Sequence, residues 1–113
     1  MFQRFTFKSY EVITLTTFKS KLIPEETLEK MVRILKAIAH PGCLQIVNIL
    51  LNGEHHVSEI QKATGIKQSL MSQLLINLKF NDILKSRRDG NKVYYFIAND
   101  SIKNIIASII AET

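Results

Sequence analysis

Cysteine occurs once in these 113 residues, at Cys43. No disulfide can close within the chain, and such scarcity fits a reducing cytoplasm. Glycine and proline are scarce too, at four and two, against 46% hydrophobic residues. That balance describes a globular chain and excludes a disordered one. Nowhere does an apolar run approach the roughly 18 residues of a membrane span. The first residues include basic ones but lack a continuous apolar stretch before a small-residue cleavage site, so no signal peptide is expected. The constellations of catalysis are missing as well. There is no nucleophile–base pairing, no phosphate-cradling Gly loop and too few carboxylates near the histidines for acid–base work. An enzyme is the class the sequence supports least.

What is present centres on residues 57–80, VSEIQKATGIKQSLMSQLLINLKF. Val57, Ile60 and Ala63 share one face of a first short helix. Ser58 stands near its start, where a hydroxyl can accept from free backbone NH groups. Thr64-Gly65 ends it, because glycine tolerates the left-handed conformation of a sharp stop. A second helix is expected from about Gln68 to Phe80, burying Met71, Leu74, Leu75 and Leu78 at i, i+3, i+4 and i+7. Lys67, Gln68, Ser69, Ser72 and Gln73 then point outward at its N-terminal end. Short polar and amide side chains there suit base edges and phosphates in a DNA major groove. This is the pattern of a helix-turn-helix, although two helices joined by a Gly turn also occur in all-α domains that never touch DNA.

The charge distribution favours the nucleic-acid reading. Residues 57–97 hold seven Lys/Arg against three acids and so carry +4 of the net +5. A basic surface confined to the motif region is the footprint of a polyanion partner. At this length one domain is expected, burying roughly 65% of the surface its unfolded chain exposes.

The flanks complete the architecture. Residues 1–23 form an N-terminal extension whose mixed pattern fits a strand, an irregular arm or a helix, and residues 24–113 form the domain. Pro24-Glu25-Glu26 opens a helix striped with Leu28, Met31, Val32, Leu35, Ile38 and Ala39. His40-Pro41-Gly42 breaks it, and a helix from about Cys43 to Leu51, apolar nearly all round, is expected at the buried centre. Asn52-Gly53 closes that helix, and Glu54-His55-His56 connects to the motif. After Phe80 the period changes to that of a two-stranded hairpin, 83–87 and 92–98, around the turn signal Asp89-Gly90. Val93, Tyr95 and Ile97 would share one face, with Tyr94 and Phe96 on the other. Arg87, Arg88 and Lys92 make this hairpin a basic wing suited to the sugar-phosphate backbone.

A last helix, about Ser101 to Ala111, carries Ile102, Ile105, Ile106, Ile109 and Ile110. These exceed what a terminal helix needs to rest on so small a core. Together with Leu28, Met31 and Leu35 they mark an expected homodimer interface. The fold expected is therefore mainly α with a β-hairpin wing, in the order α-α-α-α-β-β-α.

That order resembles the ArsR (arsenic-repressor-like) family of winged-helix regulators over about residues 28–110. The resemblance is carried by LKAIAHPGCLQIVNILL (35–51), VSEIQKATGIKQSLMSQLLINL (57–78) and SRRDGNKVYYFI (86–97). It implies a homodimeric repressor of double-stranded DNA, released by an effector, with Gln68, Ser69, Ser72 and Gln73 on the DNA side. Three positions depart from the family pattern. Cys43 stands where many members carry Arg, Leu74 where His is common, and Asp82 where Gly precedes the wing strand.

The resemblance also frames metal sensing. Members with a metal site in the motif's first helix use paired cysteines, where this chain has His56 and Ser58, and serine is a poor transition-metal ligand. Members that sense zinc at the dimer interface use acidic and His ligands on the last helix, which here offers Asp100 and no histidine. Adjacent His55 and His56 are expected to point two ways, and Cys43 to be a buried core thiol. No metal and no cofactor are expected. The runner-up reading is a winged-helix protein-interaction module that does not bind DNA.

Overall fold

The computed structural model describes residues 21–113. Expectations for the N-terminal extension lie outside the described residues except at its last three positions. The chain divides into two compact units, and the larger, Met31–Thr113, holds everything that positions the site.

Five helices and three strands are found among the described residues, in the order α1 (Glu25–Ile38), α2 (Pro41–Leu50), β1 (His55–His56), α3 (Val57–Thr64), α4 (Gln68–Phe80), β2 (Leu84–Asp89), β3 (Lys92–Ile97) and α5 (Asp100–Glu112). None of the helices is long and apolar enough to cross a membrane. The core joins Cys43, Ile46, Val47 and Leu50 of α2 to Ile60, to the four leucine and methionine positions of α4, to Ile83 and Leu84, and to Ile102 and Ile106 of α5. This is a winged helix-turn-helix.

Several local expectations are corrected. His40-Pro41-Gly42 is the start of α2 and not merely a break. His40 is its N-cap, and its Nδ1 accepts from the Gly42 backbone NH at 2.9 Å. Proline then occupies the first turn, where its missing NH costs nothing. Ser58 does not cap α3. His56 holds that place, and Glu59 Oε1 reaches back to accept from its backbone NH at 3.1 Å. Ala63 is exposed, and so is Ala39 beyond the end of α1.

The hairpin is also not alone. His55-His56 adds an edge strand, giving a three-stranded antiparallel sheet in the order β1-β3-β2. The register sets His56, Tyr94 and Arg87 side by side across the three strands.

Apolar residues stay uncovered on both α1 and α2. Met31, Val32 and Leu35 of the α1 stripe are exposed, while Ile38 at its end joins the core. Leu44 of α2 is exposed too, and α2 is buried along one side only. Beside Leu44 runs a groove of about 500 Å³ between α2 and α5, lined by Pro41, Gln45, Asn48, Ile106, Ile109 and Ile110.

Candidate nucleic-acid interface

The turn between α3 and α4 is built by three consecutive residues. Thr64 Oγ1 donates to the Ile60 carbonyl at 2.8 Å and accepts from the Ile66 NH at 3.3 Å, bridging the helix end to the loop. Gly65 between them takes φ +70°, a conformation that costs glycine little and other residues more. Lys67 is extended and begins α4, whose first turn contains no acid. The positive end of that helix is therefore left available for an anion.

α4 is held from beneath. Met71, Leu74, Leu75 and Leu78 are buried, and Asn77 Nδ2 donates to the Ala37 carbonyl at the end of α1 at 2.9 Å. Asn81 in turn donates to the Asn77 carbonyl at 2.8 Å. Leu74 packs where Gly42 leaves room, since a Cβ on Gly42 would stand 2.5 Å from Leu74 Cδ1. A core leucine is thus accommodated on the inner side of α4, and this position offers no side chain to DNA. The opposite side is free. Lys67, Gln68, Ser69, Ser72 and Gln73 are all exposed, as the helical spacing predicts.

The wing separates its cations. Arg88 and Lys92 are exposed, and neither has an acidic partner within 4 Å among the described residues. Arg87 is committed within the protein. Its Nε and Nη2 form a two-pronged ion pair with Glu54, Nε to Oε2 at 2.8 Å. Its guanidinium also covers the Tyr94 ring at 4.6 Å. Hydrogen bonding to Arg87 holds the Glu54 carboxyl below its usual range, and the same pair raises Arg87. Arg87, expected from the sequence at a phosphate, is thus exposed but already paired with Glu54. Sequence reading also overlooked Lys79, whose Nζ donates to Ser86 Oγ at 2.8 Å and ties α4 to the wing strand.

The two histidines do not diverge as expected. His55 Nδ1 and His56 Nε2 both approach Glu59 Oε1, at 3.6 and 3.4 Å, and the His56 ring meets the Tyr94 ring edge-on at 5.5 Å. Cys43 is fully buried, and burial pushes its thiol pKa up against the opposing pull of an Asn77 hydrogen bond. Among the described residues no three His, Cys, Asp or Glu side chains are grouped to hold a metal ion.

The expected dimer residues divide into three groups. Ile102 and Ile106 are buried in the chain's own core and cannot face a partner. They are four residues apart and form the inner row of α5. Ile105, Ile109 and Ile110 are exposed, as are Met31 and Leu35 on α1, while Leu28 is half-buried.

No protein-family model matches the chain, but individual proteins do. The transcriptional repressor PagR of Bacillus anthracis is 34% identical over 93 residues, covering 81% of this chain and 93% of PagR. The HTH-type transcriptional regulator Rv0324 of Mycobacterium tuberculosis is 34% identical over 82 residues; these cover 73% of this chain and only 36% of that longer protein. Among solved structures, the homodimeric winged helix-turn-helix DNA-binding domain of Mb0332 from Mycobacterium bovis, a possible ArsR-family regulator, superposes with a TM-score of 0.70. It is 32% identical, with 77% of this chain and 82% of that one covered. With this fold, an exposed polar helix face beside a basic wing and these relatives, the chain belongs to the ArsR-type family of winged helix-turn-helix transcriptional regulators.

Proposed function

We propose that this protein is a homodimeric, sequence-specific DNA-binding repressor without catalytic activity, working in the cytoplasm. α4 enters the major groove, and Gln68, Ser69, Ser72 and Gln73 meet base edges, with Lys67 at the adjoining phosphate. Arg88 and Lys92 follow the backbone beside the groove. The observation that carries this reading is the division of α4 into a buried apolar side and an uncommitted polar side at its N-terminal end. Among the described residues these amides and hydroxyls have no hydrogen-bond partner, and bases offer them donors and acceptors.

The dimer uses the exposed apolar residues Met31, Leu35, Ile105, Ile109 and Ile110, and the groove between α2 and α5 gives the second copy a seat. A two-fold pair would set two α4 helices about 34 Å apart, one turn of DNA. Repression follows if such a dimer covers a promoter, and an effector that alters the dimer would release it. Footprinting of the DNA upstream of the protein's own gene tests the reading. Protection of two half-sites related by two-fold symmetry, with transcription from that promoter falling as protein is added, is the expected result. A single asymmetric footprint would remove the dimer, and rising transcription would reverse the sign of regulation.

A further inference from the structure

The outward line of α4 does not stop at its polar residues. At roughly 100° per residue, Ser69, Gln73, Ile76 and Phe80 fall within about 60° of one another, directly opposite the buried side. Ile76 is 68% exposed and Phe80 is 82% exposed. Neither belongs to the core, nor to the apolar strips on α1 and α5 assigned to the second subunit. Ile76 lies three residues past Gln73, or about 4.5 Å along the axis. That is close to the roughly 3.4 Å rise between bases of one strand. A helix that sets Ser69 and Gln73 on base edges therefore brings Ile76 to a neighbouring base pair.

An isoleucine there can make no hydrogen bond. The apolar group that a base pair presents in the major groove is the C5-methyl of thymine. Resting on the DNA-binding reading above, we propose that Ile76 is a specificity-determining residue that packs against a thymine methyl, extending the polar readout by one step. Phe80 continues the line by a further turn, about 6 Å along the axis.

The test starts from duplexes enriched by the full chain from a randomised pool. In the enriched duplex each thymine is replaced singly by deoxyuridine, which removes the methyl and nothing else. The wild-type protein should lose about three- to five-fold in affinity at one thymine per half-site, the size expected of one methyl group's contact. Ile76→Ala should bind the thymine duplex with that same loss and be insensitive to the replacement. Its exposed position leaves the fold unaffected, which circular dichroism checks. If Ile76→Ala and the wild type lose the same factor at every replaced thymine, or the wild type loses none, the proposal is overturned. If Ile76→Ala matches the wild type on every duplex, it is overturned in favour of a protein docking on Ile76 and Phe80. If no sequence is enriched at all, the DNA-reading role itself has failed, and the proposal with it.

Discussion

Arg87 is gripped by Glu54, 33 residues earlier in the chain, and lies over the ring of Tyr94, its register partner on the neighbouring strand. The pair joins the loop that follows α2 to the wing strand β2. A paired, stacked guanidinium differs in consequence from a free one, because neutralising a phosphate would require it to leave Glu54.

The two roles predict opposite signs. If Arg87 fixes the wing, Glu54→Gln should weaken DNA binding, since the wing loses its brace. If Arg87 waits for phosphate, the same change should strengthen binding by releasing it. We expect weakening by a few-fold. Arg88→Ala should lower the slope of log K against log salt by about 1.8, one phosphate contact of about 0.9 from each subunit of the dimer, and Arg87→Ala should leave the slope unchanged. Titrations at four salt concentrations separate these outcomes. The pH dependence has a definite sign as well. A carboxylate whose pKa is lowered in the folded state contributes above its unfolded value and loses that contribution as pH falls through the folded one. Glu54 is such a group, so the brace should hold across neutral pH and yield only in acid below the ordinary carboxylate range.

Asp82 takes φ +58° just before the wing strand. A side chain in that region is strained, and Asp among the least so. Asp82→Gly removes the strain at an entropic cost in the unfolded chain. We expect a net stabilisation of about 0.5 kcal/mol, with 1 kcal/mol as the upper range. Urea unfolding should show the midpoint moving up with no change in slope.

The two rows of α5 should respond differently to substitution. Ile102→Ala empties a core position and should cost about 2–4 kcal/mol in stability. Ile109→Asp alters a residue that is 57% exposed and should leave the monomer folded while abolishing the dimer. Urea unfolding checks the first statement and sedimentation the second. A dimeric Ile109→Asp protein would remove the outer row of α5 from the interface.

Cys43 should be chemically silent. The thiol is wholly buried and its pKa is raised by that burial, so little thiolate exists near neutral pH. A thiol reagent should modify it only under unfolding conditions, and peroxide should not release the protein from DNA. Rapid labelling of the native protein would contradict this.

The helix-turn-helix was legible because its signals are local. Apolar spacing, the Thr64-Gly65 stop and the polar entry to the second helix predicted α3 and α4 with the bounds observed. Less legible was whatever depends on distant residues. The Glu54–Arg87 pair leaves no trace in periodicity, and β1 forms because β3 offers it an edge. The last helix shows the same limit. Five isoleucines announce an apolar helix, but only the packed core decides that Ile102 and Ile106 turn inward while Ile105 and Ile109 stay out. On α4, attention to amides and hydroxyls passed over Ile76, which shares their direction.

Sequence reading by α4 is tested most directly by affinity for the duplex upstream of the protein's own gene against a shuffled duplex, titrated across salt. We predict about a thousand-fold preference for the upstream duplex, the lower end of the specific-to-non-specific ratios of DNA-binding proteins, with affinity falling steeply as salt rises. Equal binding to both duplexes, or none to either at low salt, would contradict it.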